Sequence, residues 1–334
     1  MDKKVRMADI AERLGISIVS VSKALSGQSG VSEETRERVL TLAKEMEYVP
    51  LRTKPEKKHV VRSGNIGILV ADRFFADSTF YSNLYRQVLM ACKEYGFSAL
   101  LEIVTQDAEK NKTLPALVRG NKVDGLIFMG EIGRGFLKKA ISTGLPYMLL
   151  DFYDEDLEAD SVTSDNVAGG YRLTSHLIET GRREIGFSGS IHDTSSIMDR
   201  FLGYHKALLR AGIPLRLDWV LDDRDENGLL VPVKLPIRMP KAFLCSCDEA
   251  AYSLVQQLRN HGYRVPQDVT VVGYDDYYFA QICEPRLTTY RVNVEDMSKT
   301  VVSQLVRKLK GKHATNGNTV ISGRLVCRES TKGE

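Results

Sequence analysis

Five aspartates stand where short strand-like runs end. Asp72 follows Ile66–Ala71, Asp151 follows Tyr147–Leu150, Asp165 follows Ser161–Ser164, and Asp275 and Asp276 close Val269–Tyr274. A carboxylate accepts from two hydroxyls at once, so such positions suit a neutral polyol. Arg200, just ahead of Gly203-Tyr204, can donate to a ring oxygen or hydroxyl, and Phe80 and Tyr81 can stack on a sugar face. For each aspartate taken alone, a helix N-cap or a solvated loop explains the residue equally well.

A second set of residues suits a different chemistry. Ser17-Ile-Val-Ser-Val-Ser-Lys23 puts three β-branched residues, three hydroxyls and one ammonium on a short segment. Val21, with Leu25, faces a core, which leaves Ile18 and Val19 on the other side. There they can meet thymine methyls, while Ser20, Ser22 and Lys23 reach bases or phosphates. The plain alternative is ordinary helix surface.

Three short helices must position that segment. Met7–Leu14 is amphipathic and ends at Gly15, a residue free to take positive φ. Ser17 caps a second helix over Ile18–Leu25, and a third follows Ser32, with Glu33 and Glu34 at its positive end. Ala11, small enough for close approach, Gly15 at the turn and Val21 in the angle have helix-turn-helix spacing; an unspecialised three-helix bundle is the competing reading. Behind this head, residues 65–334 alternate strand and helix in two sets. Ile66–Ala71, Ala99–Val104, Gly125–Met129 and Tyr147–Leu150 form one set of strands; Ile185–Ser188, Trp219–Leu221, Ala242–Cys245 and Val269–Gly273 form the other. The expected class is α/β, two lobes of doubly wound parallel sheet with a ligand cleft at the strand ends. The helices of the second set are expected at Val167–Glu179, Phe201–Arg210 and Glu249–Asn260. Pro232, Pro236 and Pro240 argue against a helix over 228–240.

The chain's 334 residues need more than one core. Its net charge is only +3, but residues 1–62 carry 13 Lys/Arg against 9 Asp/Glu. The N-terminus has no apolar stretch of a secretory signal, and no run approaches the ~18–20 residues of a membrane span. Five scattered cysteines fit a reducing cytoplasm. Phosphate-loop, HExxH and GxSxG motifs are missing, and the six histidines lack ligand spacing, so neither a metal nor a cofactor is expected. Cys245-Ser-Cys247 reads as a buried strand pair.

The sequence resembles the lac repressor (LacI/GalR) family of transcriptional regulators. The resemblance lies in Asp9-Ile-Ala, Gly15-Ile-Ser, Val21-Ser-Lys-Ala-Leu25, Val31-Ser-Glu-Glu-Thr-Arg36 and Tyr48-Val-Pro50, then far downstream in Val272-Gly-Tyr-Asp-Asp276, Pro285-Arg-Leu-Thr-Thr289 and Leu325-Val-Cys-Arg-Glu-Ser-Thr331. It implies a periplasmic-binding-protein-like sensor behind the head, a small effector, often a sugar, and a homodimer on a pseudo-palindromic operator; the lack of a leucine-heptad tail favours dimer over tetramer. It implies that Ile18, Val19 and Lys23 read bases, and that Arg200 and Asp275 contact effector. Asp151, Asp165, Phe80 and Tyr81 match pocket positions, and Cys247 stands where the family often has Asn. Residues 1–50 are expected as the head and 51–64 as a basic linker. Lobe 1 is expected over 65–163 and 292–318, and lobe 2 over 164–291 and 319–331. The linker departs from the family: Pro55 interrupts it and the usual leucine wedge is missing. A flexible tether and a short hinge helix, with Val60 or Val61 as wedge, are both open. A secreted solute-binding protein would share the two-lobed body but would need a secretion signal and have no use for residues 1–50; a sugar-processing enzyme is a more distant alternative.

Overall fold

Gly15 makes the corner of the head. The computed structural model describes residues 5–26, 30–46, 48, 63–75, 79–311 and 317–332, and the chain divides into two units between Val61 and Arg62. In the first, α1 (Met7–Leu14) ends with Gly15 at φ 64°. The Gly15 N–H donates to the Glu12 carbonyl and the Ile16 N–H to that of Ala11, which satisfies acceptors the helix end leaves open. Ser17 caps α2 (Ile18–Ser26), its Oγ accepting from the Ser20 N–H at 3.0 Å. Ser32 does the same for α3 (Glu33–Glu45), accepting from the Thr35 N–H at 3.3 Å. Ile10, Ala11, Val21, Ala24, Val39 and Ala43 form the core; Leu25, Leu42 and Met46 pack on it only half-buried. The linker question, with Pro55, Val60 and Val61, falls outside the described residues.

The second unit already holds Ser63 and Gly64, expected as linker. Their N–H groups donate to the Asp124 carboxylate at 2.7 and 2.9 Å. Its first lobe runs β1 (Asn65–Ala71), α4 (Asp72–Phe75), α5 (Thr79–Glu94), β2 (Ser98–Val104), α6 (Gln106–Asn111), α7 (Ala116–Arg119), β3 (Gly125–Met129), α8 (Arg134–Ile141), β4 (Tyr147–Leu150) and β5 (Ser161–Ser164). The second lobe runs α9 (Asn166–Glu179), β6 (Ile185–Ser188), α10 (Ser195–Arg210), β7 (Val220–Leu221), β8 (Ala242–Cys245), α11 (Asp248–Asn260), β9 (Thr270–Val272) and α12 (Tyr278–Ile282). The chain returns through β10 (Thr289–Arg291), α13 (Val294–Leu309), β11 (Asn318–Ile321) and β12 (Arg324–Val326).

Two parallel sheets result, in the order β11-β5-β4-β3-β1-β2 and β7-β6-β8-β9. Strands β10 and β12 pair antiparallel with each other, where two of the crossings run side by side. Buried on both faces, β1, β3, β4, β6 and β8 are short apolar runs, the pattern that covered parallel sheets impose. Two boundaries differ from expectation. Asn318–Ile321 pairs with Ser161–Ser164, so the last crossing falls after Ile321, not after residue 318. This half-exposed edge strand has no continuous apolar run to announce it. Helix α10 starts at Ser195, six residues earlier than expected, because Thr194 caps it. Residues 228–240 form no helix.

Few polar bonds join the lobes directly. The Ser195 N–H donates to Glu131 at 2.7 Å, the Ser196 hydroxyl to the Asp151 carbonyl at 2.8 Å, the Tyr153 hydroxyl to Asp199 at 3.0 Å and the Gln106 amide to Asn227 at 2.9 Å. Within the second lobe, α9 and α10 touch at backbone distance. A Cβ on Gly203 would lie 2.1 Å from the Val167 carbonyl oxygen and 2.7 Å from the Tyr171 nitrogen. Gly203→Ala should therefore destabilise the sensor by about 1–3 kcal/mol. Urea unfolding of the two proteins measures this; an unchanged midpoint and slope would show that the helices part freely.

Candidate ligand cleft and nucleic-acid interface

A cavity of ≈ 380 Å³ opens between the two lobes. Of the residues singled out in the sequence, Phe80, Tyr81, Arg200, Cys247 and Asp275 line it. Helix α10 carries Arg200 into the wall, where it is 6 % exposed. The guanidinium lies 3.9 Å over the Tyr274 ring, donates through Nε to Asn166 Oδ1 at 3.0 Å, and donates through Nη1 to the Ser246 carbonyl. Its Nη2 stands 3.7 Å from Asp275 Oδ1. Burial works against its charge, but Asp275, Tyr274, Asp151 and Cys247 together outweigh this and raise its pKa.

Asp275 follows β9 with φ 112°. Its N–H donates to the Tyr290 carbonyl, and its own carbonyl accepts from the Val292 N–H, which ties it to a crossing strand. Oδ1 is buried and takes no hydrogen bond among the described residues. Burial pushes its pKa well above the ordinary 3.8, against the pull of Arg200. Asp276, its neighbour in sequence, faces the other way: Arg291 and Arg328 hold it in two ion pairs.

The other aspartates lie elsewhere. Asp151 stands one layer behind the cavity wall, accepting from the Tyr81 hydroxyl at 2.9 Å, so it orients the ring that faces the ligand space. Burial raises its pKa from 3.8 to about 6, with Arg200 and Tyr81 acting in the opposite sense. Asp165 is not among the residues that line the cavity. It caps α9, accepting from the Ala168 N–H at 3.0 Å, because a carboxylate one residue before a helix is drawn to its open N–H groups. Asp72 opens α4 and is exposed.

Cys247 caps α11 through Sγ, which accepts from the Ala250 N–H at 3.4 Å. Its thiol pKa is raised, chiefly by burial. Behind it lies a residue that motif reading missed: Arg224, whose Nη2 reaches Sγ at 3.8 Å while Nη1 pairs with Asp223 at 3.1 Å. Arg73 and Asp193 line the same end of the cavity and were missed as well. They come from a one-turn helix and an irregular segment, where neither periodicity nor a local motif marks them. Guanidinium groups beside buried carboxylate oxygens with open lone pairs suit hydroxyls, which donate to one and accept from the other. No cluster of ligand side chains fit for a metal ion occurs among the described residues, and no helix described is long and apolar enough to cross a membrane.

In the head, Ile18 is 53 % and Val19 63 % exposed, a solvent-facing apolar pair on the first turn of α2. The Ser17 and Ser20 hydroxyls lie 2.9 Å apart and bond each other, so Ser17 acts first as a cap. Ser22 is exposed and Lys23 half-buried, its Nζ lying over Gly30.

The profile of the lacI family of bacterial regulatory proteins matches residues 6–50, and that of a periplasmic binding protein-like domain matches residues 174–331. The chain is 32% identical over 330 residues to the HTH-type transcriptional regulator RegA of Clostridium saccharobutylicum, covering 97% of this chain and 98% of that protein. It is 28% identical over 328 residues to the ribose operon repressor of Haemophilus influenzae, with coverage of 97% and 98%. The solved transcriptional regulator CelR–cellobiose complex matches with a TM-score of 0.71 at 26% identity, over 98% of this chain and 99% of that one.

The buried Asp151 yields a pH prediction. Below pH 3.8 its carboxyl is neutral folded and unfolded alike. Between about 4 and 6 only the unfolded chain ionises, so its contribution to stability is lost as pH rises through about 6. The stability of Asp151→Asn minus that of the unchanged protein should rise across this window by about 2–3 kcal/mol. Denaturation midpoints at several pH values check it, and a flat difference would refute the assignment.

Proposed function

The chain belongs to the lacI family of bacterial regulatory proteins and is a DNA-binding transcriptional regulator; on that footing we propose that a sugar or sugar derivative bound between its two lobes sets its affinity for an operator, most simply as a repressor. The observation that carries this reading is the buried Arg200–Asp275 pair facing the cavity, with an open carboxylate oxygen beside a guanidinium. The relatives lend support: one is a ribose operon repressor and one is held with cellobiose. Phe80 and Tyr81 supply the stacking face, Asp151 fixes Tyr81, and Cys247 forms part of the wall.

Residues 1–50 form the DNA-binding head, 51–62 the basic linker and the remainder the effector and dimerisation body. Ile18 and Val19 meet base methyls, Lys23 donates to a base, and Ser17, Ser20 and Ser22 line the same face toward phosphate. Two heads of a homodimer read a pseudo-palindrome, in the cytoplasm, with half-sites about one helical turn apart. Ligand closure of the lobes changes the relation of the two protomers and with it the fit of the heads. No turnover of the sugar is part of this function; a sugar altered after incubation with the protein would point to an enzyme instead.

Two variants separate the parts. On an operator selected from random-sequence DNA, Lys23→Ala should weaken specific binding roughly tenfold or more and nonspecific binding much less. Equal loss on both would reduce Lys23 to a phosphate contact. Arg200→Ala, and the milder Arg200→Lys, should bind operator without sugar as before and lose the response to sugar. Binding measured by fluorescence anisotropy with and without sugar decides this, and a response that survives both changes removes Arg200 from the site.

A further inference from the structure

The cavity has a second end that the Arg200–Asp275 pair does not reach. Arg224 and Asp193 from the second lobe and Arg73 from the first line it, next to Gly228. Asp193 Oδ2 is buried without a hydrogen bond among the described residues. Asp193 Oδ1 lies 3.2 Å, and Arg73 Cδ 3.0 Å, from where a Cβ on Gly228 would stand, so the missing side chain is what lets these groups converge. Cys247 connects the two ends: Arg224 reaches its Sγ, and it shares the wall with Asp275. The arrangement at Asp193 thus repeats that at Asp275, a carboxylate oxygen with open lone pairs beside guanidinium donors. Each arginine already faces its own carboxylate: Arg73 faces Glu109 at 2.8 Å, Arg224 faces Asp223 at 3.1 Å and Arg200 faces Asp275 at 3.7 Å. An anionic group entering here would meet no excess of positive charge, whereas a hydroxyl can donate to Asp193 and accept from a guanidinium. At ~30 Å³ per water the cavity holds about a dozen, more than one sugar ring with its hydroxyls displaces.

We propose that Asp193, Arg224 and Arg73 form a second sugar subsite and that the effector is an uncharged disaccharide, one ring at Arg200–Asp275 and the other at Asp193–Arg224. This rests on the sugar reading of the cleft and deepens it. Asp193 belongs to none of the contacts named for Arg200 and Asp275, so changing it leaves the first subsite in place, whereas Arg224 touches Cys247 between the two ends and is changed only conservatively.

Titration calorimetry on the full chain tests the assignment with cellobiose, maltose, lactose, sucrose and trehalose against glucose, galactose, ribose and glucose 6-phosphate. At least one disaccharide should bind about tenfold or more tighter than any monosaccharide. Asp193→Ala should erase that advantage and leave monosaccharide binding unchanged. Arg224→Lys, which keeps the ion pair with Asp223, should reduce it in the same direction and guards against a misfolded first variant. Monosaccharides binding as tightly as every disaccharide, glucose 6-phosphate binding best, or Asp193→Ala weakening both classes equally would each overturn the second subsite while leaving the sugar reading intact. Heat from none of the nine compounds would overturn both.

Discussion

Arg200 is the contact on which the sensor depends. A full positive charge has been taken out of water, at a cost of several kcal/mol that its surroundings must offset. They do so from three directions. Asn166 comes from the start of α9, the Ser246 carbonyl from the end of β8, and Tyr274 with Asp275 from the end of β9. Each partner lies at a carboxyl end of a strand or at the helix start that follows one, so one side chain sets the spacing of the segments that frame the cavity. The site is therefore organised before any ligand arrives. Beside Arg200, one buried oxygen of Asp275 is left without a hydrogen bond among the described residues.

The lobes share one buried apolar cluster that takes in Val70 and Leu150 of the first and Phe187 and Tyr274 of the second. Apart from the crossing strands, the bonds named between them are a handful of neutral or singly charged hydrogen bonds at the lips of the cleft, among them Tyr153 to Asp199 and Ser195 to Glu131. Such bonds are worth about 0.5–3 kcal/mol each, comparable with what a bound sugar can supply. Burial raises the pKa of Asp199 and of Glu131, as it does for Asp151.

Much of this was legible in the sequence, for reasons that differ by element. The head could be read because Ala11, Gly15 and Val21 each have one physical task that few other residues perform. Buried parallel strands such as Ile66–Ala71 show themselves as apolar runs. Asn318–Ile321 did not, since a half-exposed strand at the sheet edge needs no such run. In the cleft, position after a strand found Asp275 and Asp151, but the same rule chose Asp165 and Asp72, because a helix start and a pocket wall both attract a carboxylate. Arg73, Asp193 and Arg224 stayed hidden. What unites them is convergence across a cavity from three separate segments, Arg73 lying more than a hundred residues from the other two, and only the folded chain creates it.

Asp275 and Asp276, both at positive φ, point to opposite sides of one peptide. One faces the ligand space and the other is gripped by Arg291 and Arg328 where the chain passes between lobes. The cavity wall and the crossing between lobes thus share a single joint, which a substitution at either residue would disturb on both sides. The far end of the cavity carries no such burden: its residues sit on loops and on one short turn. If that end holds the second ring as proposed, a lineage can retune which molecule the regulator answers to there, step by step, while the way it answers stays the same.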